Sequence, residues 1–390
     1  MATKYILLSL PLEAFDSSDK EDAIASLRSM TPDLGSVIPY HIPSFKIGTL
    51  DALVQQADDL AKMESTCVGV VSKVSESLKS LLGGDEGKIA QHKKVNEKPT
   101  DQYITNFVWN KVLYRPDKPL AELVDALQKE LGSLDNDIKT KTNQYTSVKT
   151  NLASLERQRN GNLSTKSLTS VVHPDILIQG SEYLESHLIA VPKMSKKDFL
   201  RDYETLVQFV VPRSAIEITQ DDEFVLYAVV TFRKHSTEFL QKCREHKWIP
   251  RQYRHVDGGM EEEQRELDRV VQEEKRAWAE AMRMAVTGWS ESVQIWLHIL
   301  SLRVFVEAVL RYGLPLDYVT SIIKTTPKAS KKVKATLDSS FSYLGGNAIS
   351  RDKRGNVADD TALASEMAAT GLGSSSNEYT AYVYYELEVP

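Results

Sequence analysis

From Leu120 to Leu155 apolar residues recur in alternating steps of four and three: Leu120, Val124, Leu127, Leu131, Leu134, Ile138, Tyr145, Val148, Leu152 and Leu155. Only the slot at Lys141 breaks the series. This period predicts one helix, on the order of 50 Å long at 1.5 Å per residue. Pro119 suits its first turn and Asn160-Gly161 its stop. A stripe so narrow requires a second helix along its length. The segment from Met260 to Arg311 supplies one, ending at Gly313 and Pro315. Its charged start places Glu261 and Arg265 at i,i+4 spacing, and its expected seam is Leu267, Val271, Trp278, Met282, Ala285 and Trp289. The two helices are expected to form an antiparallel pair joining two globular ends. The plainer alternative is two unrelated helices, each packed on a separate domain.

Strand and turn signals fill the remainder. Lys4 to Leu10 reads as a strand closed by Pro11, followed by a turn-rich stretch with Pro32, Gly35, Pro39 and Pro43. A helix begins near Leu50, with Thr49 and Asp51 as capping residues. The segment from Gly83 to Thr100 reads as an exposed loop. Strand-like runs at His187 to Val191, Ala215 to Thr219 and Phe224 to Phe232, with a helix near Ser236 to Lys247, make an α+β module. Tyr379 to Val389 alternates as a strand and is expected to rejoin the N-terminal region, because a strand needs a neighbour. The expected fold class is therefore α+β and elongated, with two lobes and a long helical neck. One lobe comprises residues 1–134 and 290–390, the neck 135–162 and 257–289, and the other lobe 163–256.

Composition narrows the class. A chain of 390 residues exceeds one ordinary core, and 42% hydrophobic with 26% charged residues is the balance of a soluble globular protein. A formal net charge of −6 argues against a dedicated nucleic-acid binder. The most membrane-like stretch, Val293 to Leu310, contains His298, Arg303 and Glu307, and charges at bilayer depth cost about 2.5–3.5 kcal/mol each. A buried helix is expected there, without membrane insertion. The short apolar run Tyr5 to Leu10 is too brief for a secretory signal. Cys67 and Cys243 are expected to be reduced thiols of a cytoplasmic protein.

No motif for catalysis stands out. The phosphate-cradling GxxxxGK[ST] pattern, HExxH and the GxSxG elbow are absent from the sequence. The Gly83, Gly258 and Gly345 glycine pairs lack the completing Lys-Ser/Thr, and His235, His246 and His255 sit among cations that would repel a metal. Catalytic residues, cofactor and metal are all expected to be none. Glycine and cations mix in LGGNAISRDKRGN from Leu344, which includes Lys353 and Arg354, and a turn with an exposed loop is preferred there over a phosphate site. Lys324 to Lys334 carries five lysines and reads as a loop. From Arg233 to His255, seven Arg or Lys face two Glu, with Phe239, Trp248 and Tyr253 interleaved. That composition nominates Arg244, Trp248, Arg251 and Tyr253 as a partner-binding surface. A solvated helix face with a basic loop, or a site for single-stranded nucleic acid, are the alternatives.

The chain also resembles the C subunit of eukaryotic vacuolar-type proton-pumping ATPases. The matching segments are IPSFKIGTLDALVQQADDLAK from Ile42, TNLASLERQRNGNLSTKSL from Thr150, DDEFVLYAVVTF from Asp221 with the following KWIPRQY, IWLHILSLRVFVEAVLRYGLP from Ile295 and FSYLGGNAISRDKRG from Phe341. The resemblance implies a head, a helical neck and a foot built from both termini. It implies a non-catalytic stator component whose foot contacts a peripheral stalk of E and G subunits and the cytosolic N-terminal domain of the membrane-embedded a subunit. The head would bind another E–G stalk. It further implies a peripheral place on the cytosolic face of endomembranes, release on reversible disassembly and, in some members, binding to actin. The competing expectation is a cytosolic coiled-coil adaptor or actin cross-linker unrelated to the pump. The neck seam would be Leu127, Leu131, Leu134, Ile138, Val148, Leu152 and Leu155, and aspartate at the first three is expected to break the neck.

Overall fold

The structure, a computed structural model, describes residues 3–15, 19–178, 180–253, 259–344 and 380–390. In chain order the elements are β1 (Lys4–Pro11), α1 (Lys20–Met30), β2 (Gly35–Pro39), α2 (Leu50–Leu81), α3 (Glu86–His92), β3 (Lys94–Val95), β4 (Lys98–Pro99), α4 (Thr100–Thr105) and α5 (Leu120–Asn160). There follow β5 (Leu184–Pro192), α6 (Lys196–Asp202), β6 (Ile216–Gln220), β7 (Phe224–Phe232), α7 (Ser236–Glu245), β8 (Ile249–Arg251), α8 (Gly259–Tyr312), β9 (Tyr318–Thr325), α9 (Pro327–Phe341) and β10 (Val383–Glu388). The mix is α+β. The chain divides into two compact units, one of residues 1–142 and 280–390 and the other of residues 143–279, and both divisions fall inside a helix, α5 and α8.

In the first unit an antiparallel sheet has the order β10-β1-β9-β2. Strand β10 pairs with β1, Leu7 opposite Tyr385, so the last strand joins the first. Between Tyr5 and Leu10 strand β1 is apolar except for the buried Ser9, because both its faces are covered, as a central strand requires. Ile6, Leu8 and Leu10 pack under α1 and α9, whereas Tyr5 and Leu7 face the larger core of α2, α5 and α8. From Ser292 to Val309 nearly every residue of α8 is buried. Its most apolar window has the length and composition to cross a membrane, but 89% of it lies inside this core. Leu127, Leu131, Leu134 and Ile138 of α5 are buried in the same core with Met282, Ala285 and Trp289. A Cβ at Gly288 would come within 2.9 Å of Ile138 Cδ1, so glycine there sets how closely α5 and α8 approach. Aspartates at Leu127, Leu131 and Leu134 would thus dismantle this unit's core rather than sever a neck alone. Lys141, the gap in the stripe, pairs with Glu280 at 2.8 Å, both about two-fifths exposed.

The second unit has a sheet of order β6-β7-β5-β8. One face packs on α6 and α7 through Ile189, Val225, Tyr227, Phe199, Phe239 and Trp248. The other carries Leu188, Ala190, Leu226 and Ala228 beneath the segment around Leu163, Leu168 and Val172. Val148, Leu152 and Leu155 of α5 are half-buried here.

Three expectations need correction. Trp278 is 38% exposed; Val270, Ala277 and Ala281 take the buried positions, one residue before the expected register. The lysine-rich Lys324 to Lys334 is not a loop but the end of β9 and the start of α9, for which Thr326 caps Ala329 N–H and Pro327 opens the first turn. The glycine-rich stretch after Gly83 contains α3, capped by Asp85, and the β3–β4 hairpin. Gly258, the Gly345 pair, His255, Lys353, Arg354 and the tail to Tyr379 lie outside the described residues, while Gly259 opens α8.

Candidate interaction surfaces

In the second unit, helix α7 ends in a left-handed turn at Lys247 (φ 60°), with Trp248 N–H donating to Cys243 O at 2.9 Å. That reversal turns the indole of Trp248 inward: it is 2% exposed and packs edge-on to Phe199 at 5.0 Å. Trp248 is therefore a core residue with no ring surface to offer a partner. Arg251 is committed as well. Its guanidinium donates to Leu163 O at 2.8 Å and to Lys166 O at 2.6 Å, while Tyr253 Oη donates to Val172 O at 3.1 Å. Both residues tie down the 163–172 segment. Of the four nominated residues only Arg244 is exposed. The cluster looked like an interface because burial is invisible in composition.

Polar contacts elsewhere in this unit fix the strand ends. The ring Nε2 of His187 lies 2.7 Å from Ser236 Oγ and 3.0 Å from Thr231 Oγ1, and Ser236 Oγ also donates to Glu185. Burial lowers the His187 pKa, holding the ring neutral. Burial also pushes the Cys243 thiol up to about 12, and that of Cys67 well above its usual range, so both remain thiols. Among the described residues no group of three His, Cys, Asp or Glu is placed to hold a metal ion.

The most distinctive arrangement in the first unit lies between α5, α8 and the loop preceding α5. Trp109 and Tyr114 anchor that loop inside the core, and Trp109 Nε1–H donates to Tyr114 O at 2.7 Å. His298 of α8, 2% exposed, sits against the rings of Phe107, Trp109 and Tyr114. Its Nδ1–H donates to Gln294 O at 2.6 Å, the bond that fixes the tautomer, and its Nε2 accepts from Asn110 N–H at 3.1 Å. Beside them opens a cleft of about 350 Å³, lined among others by Glu130, Asp137 and Glu291. Tyr114 Oη donates to Glu130. Burial, then repulsion by Glu130 and Asp137, raises the Glu291 pKa. Local sequence pattern does not mark this region. The one available signal is three apolar residues, Val108, Val112 and Leu113, in a loop punctuated by Asn, Lys, Arg and Pro.

The family model described as the C subunit of V-ATPase matches residues 5–383. The chain belongs to the V-ATPase C-subunit family. The V-type proton ATPase C 1 subunit of Macaca fascicularis is 32% identical over 386 residues, covering 99% of this chain and 98% of its own length. The V-type proton ATPase C subunit of Saccharomyces cerevisiae is 35% identical over 367 residues, covering 93% of each chain. Among solved structures, the cytoplasmic N-terminal domain of the I subunit, a homolog of the a subunit of V-ATPase, aligns at TM-score 0.38 and 13% identity over 87% of this chain and 97% of its own, too distant to support an argument. Membership makes this V-ATPase C-subunit homologue a component of a proton pump, and not one of its catalytic subunits.

The His298 site gives this member a measurable acid response. Burial holds the imidazole pKa down at about 4 against an ordinary 6.5. The unfolded chain therefore binds the proton first as pH falls, and folding stability is lost between pH 6.5 and 4. A shift of that size corresponds to about 3–4 kcal/mol. In denaturant titrations at pH 7, 5.5 and 4.5, the His298→Gln variant should show a shallower acid loss than the parent; identical slopes would remove His298 as the cause.

Proposed function

We propose that this V-ATPase family member is a non-catalytic strut in the stator of a V-type proton pump. In this reading residues 1–134 and 290–390 form a foot that contacts an E–G peripheral stalk and the cytosolic N-terminal domain of the a subunit. Residues 163–256 form a head for a second E–G stalk, with 135–162 and 257–289 as an antiparallel helical neck. The observation carrying this reading is that the chain has two units, each with its own core, while α5 and α8 each run from one unit into the other. Family membership disfavours an adaptor unrelated to the pump.

A rotary motor delivers torque only against a part that resists it, and a body fastened at two sites supplies that resistance. Fastening at two sites also makes the second contact intramolecular, so modest individual affinities suffice and weakening one end releases the chain. On this account the protein works on the cytosolic face of the pump's membrane and leaves it on reversible disassembly. Contact with actin would be available to the released form.

Calorimetry with recombinant E–G heterodimer and, separately, with the N-terminal domain of the a subunit tests this. The full chain should bind both, and Val148→Asp/Leu152→Asp/Leu155→Asp should lower ATP-driven proton transport per ATP hydrolysed in reconstituted pump. Full coupling in that variant, with folded protein, would sink the strut.

A further inference from the structure

The loop before α5 leaves three large apolar side chains in water: Val108 is 75% exposed, Val112 88% and Leu113 65%. Scattered apolar residues on a surface are ordinary, but here three stand within six positions of one loop. The loop is also rigidly built. Asn110 Oδ1 accepts from both Val112 N–H and Leu113 N–H at 3.1 Å, Asn110 N–H is held by His298, and Trp109 and Tyr114 pin either side. The exposure is thus preorganised, which lowers the entropy cost of binding something there.

Leu113 also lines the adjoining cleft. The other lining positions follow helical spacing, 130, 133, 134 and 137 on α5 and 291, 294, 295 and 298 on α8, so the cleft is an interhelical groove about two turns long. Its charged lining is all acidic: Glu130, Asp137 and Glu291, with His298 neutral and no Lys or Arg. Among the described residues none of the three carboxylates pairs with a cation; Glu130 takes only the Tyr114 hydroxyl. Nearby Arg115 is paired with Asp117 at 2.8 Å. The groove therefore has unmatched negative charge beside an unmatched apolar knuckle, a combination suited to a helix laid in a groove.

We propose that this knuckle and groove are the docking site for a basic, amphipathic helical segment of another pump protein. Its apolar side chains lie on Val112 and Leu113, and its lysine or arginine reaches Glu130, Asp137 and Glu291. The proposal rests on the reading that the first unit fastens to other parts of the pump, and it adds where and by what chemistry.

The test uses the full chain in purified pump, with a photo-crosslinking amino acid at Val112 and a second at exposed Arg244 as reference. The Val112 probe should crosslink to a segment of another pump protein bearing Lys or Arg beside apolar residues at three- and four-residue spacing. The Asp137→Lys/Glu291→Lys double variant should bind that segment about thirtyfold more weakly, with Val112→Asp/Leu113→Asp comparably weak and both proteins retaining the parent's unfolding midpoint. Reversing the crosslinked Lys or Arg to Glu should restore binding of the double-lysine variant. Incorporation of the chain with no Val112 crosslink, crosslinking to an acidic segment, or unaltered affinity of the charge-reversed chain overturns this proposal alone. So does spermidine bound by the free chain at the groove when no pump protein crosslinks there. A chain that never enters the pump overturns this proposal and the strut together.

Discussion

Arg303→Met is expected to lower the stability of the first unit by about 3–5 kcal/mol, the cost of removing one partner from a buried charge network. Arg303 is 5% exposed on α8 and bonds Glu64 of α2 and, at 3.4 Å, Glu307 one turn along its own helix. Its guanidinium also lies 4.5 Å from the ring centroid of Tyr385 on β10, whose hydroxyl donates to Glu307. Arg311 completes the set, donating to Thr380 O and, at 3.5 Å, to Glu307. One cation thus links α2, α8 and the last strand. Burial raises the Glu307 pKa while Arg311 and Arg303 pull it down. Without Arg303 the folded-state pKa rises further, so the folded chain binds a proton that the unfolded chain does not. Stability of the variant should then fall as pH rises from 5 to 8. Denaturant unfolding, with hydrogen exchange of β1 and β10 as the local reporter, measures both effects. A loss under about 1 kcal/mol would show the network contributes no more than surface pairs do. Adding Glu64→Gln and Glu307→Gln should recover part of the loss, because fewer buried charges then lack a partner.

The same network shows what a sequence discloses and what it conceals. His298, Arg303 and Glu307 were legible as reasons why an apolar stretch would not sit in a bilayer, and the stretch is indeed core. Their partners Glu64 and Tyr385 lie 239 and 78 residues away from Arg303 and Glu307, respectively, and no local pattern connects them. Period carried the long helices, the α5 stripe and the start of α2 at Thr49, because one face of each is dry, whereas β7 was readable as a continuous β-branched and apolar run because both its faces are buried. Where period competed with composition, composition misled. The lysines around Lys331 hid α9, although Thr326 and Pro327 announced its start, and Val333 and Leu337 held its buried face. On α8 the expected seam used Trp278 because it is large and apolar. The helix instead turns the small Ala277 and Ala281 inward, and small side chains permit closer packing. The acidic groove escaped notice because its carboxylates come from two helices about 150 residues apart.

Trp248→Ala is expected to destabilise the second unit by about 3–5 kcal/mol, the usual range for deleting a large aromatic from a packed core. The indole fills the space between α6, α7 and the sheet, edge-on to Phe199 and stacked by His246 at 4.9 Å. Little around it can collapse, since Phe199, Phe239 and Cys243 are themselves fully buried. The loss should appear as faster hydrogen exchange along β5 and β7, whether or not a stalk is present. Arg244→Ala, one helical turn earlier and exposed, should change stability by less than about 0.5 kcal/mol. If Trp248 were instead a contact residue, its alanine variant would keep the parent's exchange rates and lose only affinity for the E–G heterodimer. Comparing the two variants by both measurements separates a residue that builds the second unit from one that could meet a partner, which basic-aromatic composition alone cannot do.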